Sequence, residues 1–489
     1  MKKEILRMER VTYMEQGNTK LRNFNMAIYE GEVMGLVPMN NLGLDAFLQL
    51  LQKNLPLYYG YIYYRGHMVN CWGKPNQEWN RISIIQSESI LADDMTVADN
   101  IFVLRPGFKK WLIQRKILDR QLAPFLEEIG VDISAEAYVS ELTHFEKVVV
   151  ELLKAVVAGH CLIVLYDIST FVSDRERIWL YQMVQYYASK GISFLYITAH
   201  YEETKQLCGR TAMFTNGRIV KYLYPQNATS DERYLCRRGG FEKKLREKIE
   251  QHAKEDKKGT VFEMELLYTP KIQGLSFTVA SGECLILQDL ESRIFEELLE
   301  ALSGEGKPES GKMRVDGKET RFRYDRRVAI IQEFPAKRML FPYMSYLDNL
   351  CFNLDHRLPG VWRSRRMRES IYREFGGIEE PGLYQKGVNK LTQRQKYDLV
   401  YGRILLQNPK VVFCMQPFHG AEMPLRIHIC ELLEMLLDKG IAVVILAVSL
   451  ADSLALADRL IKIKDGTNYV ECSREEFEGL PDNVPWKSF

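Results

Sequence analysis

The chain of 489 residues contains an internal repeat, and this repeat limits the possible folds more than any other feature. Short landmarks in the first half return about 250 residues later in the same order. The paired landmarks are Gly31-Glu32 with Gly282-Glu283, Asp99-Asn100 with Asp348-Asn349, Leu142-Thr143 with Leu391-Thr392, Lys190-Gly191 with Lys439-Gly440, and Arg210 with Arg459. Chance could produce one such pair, but an ordered set at a nearly constant shift indicates a tandem duplication. We therefore expect two domains of one fold.

Each copy alternates apolar, strand-like runs with helical stretches. In the first copy the runs are Val33–Val37, Ile82–Gln86, Leu162–Tyr166 and Phe194–Thr198. This alternation is typical of a mainly parallel sheet that is flanked by helices. The sequence therefore predicts an α/β fold class, repeated twice.

The repeat also predicts the domain limits. We expect a first domain over residues 1–235, with a helical subdomain at about 93–160, and a second domain over 261–489, with a helical subdomain at about 341–405. The segment 236–260 between them is dense in charge. Such a segment favours a solvated linker helix and hinge, and a basic docking patch is the alternative interpretation.

Composition excludes several classes of protein. Sixty-six basic residues face 64 acidic ones, so the chain lacks the excess of positive charge that is typical of nucleic-acid binders. Nine dispersed cysteines without a Cys-x-x-Cys pair indicate free thiols in a reducing cytoplasm. The longest apolar run, Ile441–Val448, is far shorter than the ~20 residues of a membrane span, and no apolar stretch follows the initial lysines. We therefore expect neither a transmembrane segment nor a signal peptide.

Segments in both halves carry a resemblance to a known family. The first half contains GEVMGLV, MTVADNIF, LIVLYD and ITAH in that order, and the second contains GECLIL, YLDNLCF, LTQRQKY and ADRLIKIKDG. This ordered set resembles the tandem ATP-binding subunit of bacterial ABC importers for monosaccharides of the ribose and galactose class. The resemblance implies two ABC-type, P-loop NTPase-like domains, ABC permease partners and a place in the cytoplasm, peripheral at the inner face of the membrane.

The first phosphate-binding loop departs from the family form G-x-N-G-x-G-K-S/T-T. This segment reads PMNNLGLDA, from Pro38 to Ala46. Pro38 has no N–H to donate, and Leu44 takes the place of the lysine that reaches the phosphates. Asp45 replaces the hydroxyl that binds magnesium. We expect its carboxylate to cap the following helix and to fill part of the phosphate's role, or else only to cap the helix.

The second phosphate-binding loop departs further. It reads QDLESRIFE, from Gln288 to Glu296, and a bulkier residue fills every glycine position. Asp289 stands at the first of these positions, and Phe295 stands at the lysine position. We expect that this loop does not bind a phosphate, because its backbone cannot approach one closely.

The residues for hydrolysis are incomplete. The family uses a magnesium-binding Asp, a following Glu and a switch histidine, and the first copy has Asp167 and His200 but Ile168 at the Glu position. An isoleucine cannot accept a proton or orient water. In the second copy we match Met415 and Gln416 to the Asp-Glu pair.

The signature segment, which offers bare backbone to the γ-phosphate in the family, contains bulky Phe145 in the first copy and Gln393-Arg394 in the second. Glycine alone allows such a close approach. Arg394 keeps a weak contact with an anion open.

By resemblance, only the first copy keeps residues for a nucleotide. These predicted nucleotide-binding residues are Tyr13, Asn40, Gly43, Gln86, Asp167 and His200. Among them, Asp167 and His200 are the catalytic candidates, and Gln86 with Asp167 are the ligands for magnesium if nucleotide binds. Mg-ATP is thus expected in the first domain only. Other interpretations remain: Tyr13 and His200 as core residues, and Asp167 as a helix cap.

Three functions follow from these residues. The resemblance and the lost motifs favour a pseudo-ATPase with a structural or regulatory role beside a sugar permease. The first alternative is a weakly active ATP-hydrolysing subunit of a monosaccharide importer, and the second is a cytosolic ligand-responsive scaffold without a permease. Whether the chain is an enzyme stays open, with the motifs favouring the loss of activity.

Overall fold

The computed structural model describes residues 3–71, 80–87, 89–103, 115–224, 259–291, 293–352, 382–421, 423–450 and 453–479. The chain divides into two compact units, one built mainly from the residues up to Lys243 and the other from Lys244–Pro481. All but the last two residues of the predicted linker, 236–260, lie outside the described residues, and so do 104–114 and 353–381 of the predicted helical subdomains. The domain limits therefore stay a prediction.

The first unit contains ten strands and five α-helices in its described residues. The strands are β1 Glu4–Glu15, β2 Asn18–Tyr29, β3 Val33–Pro38, β4 Tyr59–Tyr64, β5 His67–Cys71, β6 Ile82–Ile85, β7 Leu162–Tyr166, β8 Ser193–Ile197, β9 Arg210–Thr215 and β10 Arg218–Leu223. The helices are α1 Leu44–Gln52, α2 Arg115–Ile129, α3 His144–Val157, α4 Asp174–Ser189 and α5 Tyr201–Leu207.

These strands form two sheets. The larger sheet has the order β10-β9-β3-β8-β7-β6, in which every pair is parallel except β9 with β10. The smaller sheet, β2-β1-β4-β5, is antiparallel. The prediction of a mainly parallel sheet from alternating apolar runs is thus confirmed, whereas the antiparallel sheet was not predicted.

The second unit repeats this plan. Its strands are β11 Thr260–Tyr268, β12 Gln273–Ala280, β13 Cys284–Asp289, β14 Ser310–Val315, β15 Lys318–Thr320, β16 Val328–Ile331, β17 Val411–Met415, β18 Ala442–Ala447, β19 Arg459–Lys464 and β20 Thr467–Ser473. Its helices are α6 Phe295–Ser303, α7 Pro335–Arg338, α8 Tyr346–Cys351, α9 Gln393–Gln407 and α10 Met423–Asp438. The larger sheet, β16-β17-β18-β13-β19-β20, has the strand order of the first unit, which confirms the tandem α/β fold.

Two of the repeated landmarks form one ion pair in each unit. Glu32 and Arg210 are about 178 residues apart in sequence, yet their side chains meet at 2.7 Å. Glu283 and Arg459 meet in the same way at 3.0 Å. Each pair joins the turn before the central strand to the start of its parallel neighbour. These landmarks therefore serve the fold of the domain.

A third landmark is a buried asparagine. Asn100 accepts a hydrogen bond from the Ala92 N–H at 2.9 Å and donates to the carbonyls of Ala92 and Thr96, both at 3.1 Å. Asn349 makes the same three bonds, to Phe341 and Ser345, at 2.8, 3.0 and 3.1 Å. Both side chains are fully buried. Their amides therefore make the hydrogen bonds to the backbone of this loop that water would otherwise make.

No helix in the described ranges is both long enough and apolar enough to cross a membrane.

Candidate functional site

Four of the sequence-predicted residues lie at one edge of the first large sheet. Gln86 follows β6, Asp167 follows β7, His200 comes shortly after β8, and Asn40 comes shortly after β3. These four strands are parallel neighbours in the sheet, so their carboxyl ends share one edge. In open α/β sheets, ligands bind at this edge. The structure thus places Asn40, Gln86, Asp167 and His200 at one edge of the sheet, and their binding of a nucleotide stays a prediction.

Asn40 is held by the hairpin between β9 and β10. Its amide donates to Thr215 Oγ1 at 3.1 Å and to Asn216 Oδ1 at 3.0 Å. Its carbonyl oxygen accepts the Asn216 N–H at 3.0 Å. These three bonds give Asn40 a structural task that does not require a nucleotide.

Gly43 has a packing reason to be glycine. Its φ is 90°, and a Cβ atom at this position would lie 2.1 Å from the carbonyl oxygen of Lys20. The next residue, Leu44, is fully buried in the hydrophobic core. The position that would need a lysine to reach phosphate oxygens is therefore part of the core.

Asp45 does not cap the first helix, and this expectation was wrong. The N-cap of α1 is Gly43, without a side-chain hydrogen bond, and Asp45 lies exposed in the first turn. Its charge still favours the positive end of the helix dipole. Asp45 lies two residues after the N-cap position, from which a side chain accepts the first N–H groups of a helix.

Asp167 occupies the turn that ends β7. Its φ is 53°, its N–H donates to the Ile197 carbonyl at 2.8 Å, and its own carbonyl accepts the Thr170 hydroxyl at 2.7 Å. Asp tolerates this left-handed conformation better than most residues. The side chain is half-buried at the edge of the sheet.

Ile168 follows Asp167 where the family has its water-polarising glutamate. The side chain is fully buried and belongs to the main apolar cluster of the first unit. The same cluster contains residues of α3 and α4. Ile168 therefore contributes to the core and offers no group for proton transfer.

His200 lies at the N-cap of α5 and is half-buried. Its N–H donates to Thr198 Oγ1 at 3.1 Å, and the Thr198 hydroxyl donates in turn to Glu203 Oε2 at 3.0 Å. Glu203 is 1% exposed. The turn that carries His200 is thus fixed by a buried carboxylate, which sequence reasoning missed.

Glu203 faces an equally buried arginine. The Arg177 Nη1 atom lies 3.6 Å from Glu203 Oε1, and Tyr196 donates its hydroxyl to the other carboxylate oxygen at 2.7 Å. Burial raises the pKa of Tyr196 well above its usual value, and the Glu203 charge raises it further. Arg177 stands at helical spacing from buried Leu180 and Val184, so its place on an apolar face was the available signal.

Tyr13 lies in the core of the first unit, with 9% of its surface exposed. Burial raises its pKa, and the nearby Glu15 charge adds to the shift. Because its side chain belongs to this apolar cluster, little of the ring is open to a ligand. The role of Tyr13 in nucleotide binding stays a prediction.

In the second unit, the phosphate-binding loop binds a carboxylate of its own. Asp289 accepts hydrogen bonds from the N–H groups of Glu291 at 3.0 Å, Arg293 at 2.5 Å and Ile294 at 2.9 Å. The side chain is 2% exposed, and Asp289 is the last residue of β13, ahead of the loop that leads to α6. Backbone N–H groups of this loop type and the helix dipole are what bind phosphate in P-loop proteins. The role that we expected for Asp45 belongs to Asp289.

The match of Met415 to the magnesium-binding Asp was also wrong. Gln416, with φ 40°, follows β17 and donates its N–H to the Leu446 carbonyl at 2.9 Å, as Asp167 does to Ile197. Gln416 is thus the counterpart of Asp167, and Pro417 is the counterpart of Ile168. Neither second-unit residue offers a carboxylate.

The signature segments form helix N-termini. Thr143 with Glu146, and Thr392 with Gln395, make reciprocal capping boxes at the starts of α3 and α9. Phe145 is buried, and its ring centroid lies 6.2 Å from that of Trp179. The Phe145 side chain therefore packs inside the unit.

Known proteins align with nearly the whole chain. No protein-family model matches the sequence. The chain is 25% identical to the ribose import ATP-binding protein RbsA of Clostridium perfringens over 487 residues, 96% of each protein, and 23% identical to RbsA of Clostridium tetani, over 97% of this chain and 95% of that protein. Among solved structures, RNase-L Inhibitor matches with a TM-score of 0.60 and 13% identity, over 96% of this chain and 91% of that one. The chain resembles tandem ABC ATP-binding subunits of ribose and galactose importers, and its fold is two tandem ABC-type domains.

Proposed function

We propose that this chain is the ATP-binding-cassette subunit of a bacterial sugar import system, and that it has lost ordinary ATP turnover. Its relatives are import ATP-binding proteins that match it from end to end. On this proposal the chain lies in the cytoplasm at the inner face of the membrane, beside permease subunits. Its role there is structural or regulatory.

The buried Ile168 carries the proposal. Hydrolysis at a cassette of this kind needs a group that orients and deprotonates water next to the magnesium-binding Asp. Here that position holds a side chain that is fully packed into the core. A rotamer change cannot supply the missing carboxylate.

The first unit is the proposed place for Mg-ATP. The Asp167 carboxylate and the Gln86 amide oxygen are the oxygen ligands that Mg²⁺ prefers, and they follow adjacent strands. Asn40, Gly43 and His200 line the same edge. Two N–H groups of the loop are already bonded within the protein, Met39 to Phe214 and Leu44 to Asn41, at 2.7 and 2.9 Å. We therefore expect weak binding.

The second unit is proposed to hold no nucleotide. The Asp289 carboxylate already occupies the N–H groups that a phosphate would need. A phosphate next to this buried charge would also be repelled, by roughly 4 kcal/mol at 4 Å and an effective dielectric of 20. On this proposal the second loop keeps the shape of the domain and does not bind a phosphate.

A titration of the full chain with Mg-ATP, by calorimetry and thermal shift, tests the proposal. We expect a single weak site, in the high micromolar to millimolar range of Kd, that Asp167→Ala abolishes. The matched control is Gln416→Ala, which changes the counterpart residue in the second unit and should leave binding intact. A second site that survives Asp167→Ala would refute the restriction to the first unit.

Turnover separates the proposal from a weakly active ATPase. That alternative draws on the half-buried Asp167 and His200 at the same edge. Magnesium-dependent ATP hydrolysis that both Asp167→Ala and His200→Ala abolish would establish the alternative. Copurification with membrane proteins would support the importer subunit, whereas a chain recovered only without them would favour a cytosolic scaffold.

A further inference from the structure

A cavity lies at the outer edge of the second large sheet. Strand β16 is the outermost strand there, and the cavity of about 190 Å³ runs beside it. Leu302 at the end of α6, Val328 and Ile330 of β16, and Ile404 of α9 provide apolar walls. The space is large enough for a small metabolite, since one water takes about 30 Å³.

One buried cation lines this cavity. Arg403 is 5% exposed, and its Nη2 atom donates to the Met339 carbonyl at 2.8 Å. Its Nε atom is buried without a hydrogen-bond partner, and no described carboxylate forms an ion pair with it. Burial lowers the pKa of Arg403 from its usual value. Buried charges are normally paired, so this guanidinium lacks the anion that would stabilise it.

In the first unit a carboxylate, Glu151, lies one helical turn from the matching cation, although it also accepts hydrogen bonds from the Ser89 hydroxyl and the Ile90 N–H. The repeat shift that carries Leu142 to Leu391 carries Lys154 to Arg403 and Glu151 to Val400. Burial lowers the pKa of Lys154, and the Glu151 carboxylate one turn away opposes that shift. The second unit has therefore kept the cation while a valine replaces its carboxylate.

The acidic group in the cavity does not take the place of that carboxylate. Asp325 accepts three bonds from the Arg327 guanidinium, the shortest at 2.6 Å. The Arg327 guanidinium holds the pKa of Asp325 below its usual value. Asp325 is thus neutralised by its own partner, and the charge of Arg403 is left facing the cavity.

We infer that this cavity binds a small organic oxyanion, a carboxylate or a phosphate monoester, through Arg403. The planar guanidinium binds both kinds of oxyanion, and the apolar walls accept the rest of the molecule. The site is separate from the proposed nucleotide site, because every lining residue belongs to the second unit. It stands or falls independently of Mg-ATP binding.

The test uses the full chain with n-butyrate and with inorganic phosphate as probes, each against chloride at equal ionic strength. We expect a saturable rise in Tm of ~4 °C at about ten times the Kd. In the Arg403→Met variant the affinity should fall at least tenfold. The matched control is Lys154→Met, the counterpart in the first unit, which should keep the response.

Hydrogen exchange on the wild-type chain gives a second readout that does not depend on the variant folding. Butyrate should protect the amides of β16 and of the segment around Arg403. Protection elsewhere, an unchanged Tm, or a response that survives Arg403→Met would overturn the inference. A response to phosphate alone that Asp167→Ala abolishes would place the anion at the nucleotide site and would also overturn it.

Discussion

Replacing Asp289 by asparagine removes one negative charge from the loop before α6 and changes almost nothing in volume. The wild-type carboxylate accepts three backbone N–H groups, two on Oδ2 and one on Oδ1. Asparagine keeps a single acceptor oxygen, so at least the bond to Glu291 is lost and an NH₂ group faces that N–H instead. The variant therefore tests whether the loop depends on its own anion.

The magnitude follows from the number and kind of bonds. A hydrogen bond to a charged group contributes about 1.5–3 kcal/mol, and a charge at a helix N-terminus contributes about 0.3–1 kcal/mol. Because Asp289 is 2% exposed, water replaces these bonds only in part. We expect Asp289→Asn to destabilise the α6 region by roughly 2 kcal/mol, and Asp289→Ala by roughly 4 kcal/mol.

Hydrogen exchange of the α6 amides measures this loss locally, which suits a chain of two units that need not unfold together. A loss of about 2 kcal/mol should speed exchange there about 30-fold when reclosing is fast, because the opening equilibrium then sets the exchange rate. The matched control is Asp45→Asn, at the first helix of the first unit. Its carboxylate caps nothing, so exchange in α1 should change less than about fivefold.

Equal effects of the two substitutions would refute the reasoning, because the difference between them is the set of three bonds. An α6 exchange rate within twofold of wild type would do the same. A large effect spread evenly over both units would indicate global unfolding and would also contradict a local anchor.

Three further predictions concern stability. Gly43→Ala should lower the unfolding free energy by roughly 3 kcal/mol or more, and Tm with it. The new Cβ would clash with the Lys20 carbonyl oxygen, and the residue would be held at a positive φ. Thermal unfolding measures this loss. Arg177→Met should cost about 3–5 kcal/mol in urea unfolding, because it leaves a buried carboxylate without its cation. Burial disfavours charged His428, but the Asp398 carboxylate outweighs it and raises the pKa. The stabilisation of the fold by charged His428 is therefore full below about pH 6.5, the usual pKa of histidine. It is lost as the pH rises through the raised pKa of His428. Tm against pH should flatten in this range for His428→Gln.

The repeat and the alternating apolar runs were enough to predict the tandem parallel sheets. Strands β3 and β7 begin where their apolar runs begin, since an apolar run bounded by turn residues has few other buried arrangements. Asn40, Gln86, Asp167 and His200 share one edge because they follow parallel neighbouring strands, an order that the structure provides. These parts of the site depend on backbone topology.

Side-chain contacts between distant segments could not be predicted. In the sequence, Glu203 looks like an ordinary residue of a helix. Its contact with Arg177 beneath the turn that carries His200 is visible only in the structure. The exchange of roles between Asp45 and Asp289 has the same origin. Asp289 ends the strand before α6 and lies ahead of the loop N–H groups, whereas Asp45 lies inside the first turn of α1, so only the Asp289 carboxylate reaches those groups.

Because the chain carries two copies of one domain, a comparison of the copies shows which interactions both have kept and which one of them has lost. Asn100 and Asn349 make identical bonds, although little of the sequence around them is shared. Neither a carboxylate nor a hydroxyl can both accept that N–H and donate to those two carbonyls. In a saturation library selected for folding, we therefore expect both asparagines to be retained while the two phosphate-binding loops tolerate many substitutions. The asparagines would then still identify the duplication after the loops have lost their similarity.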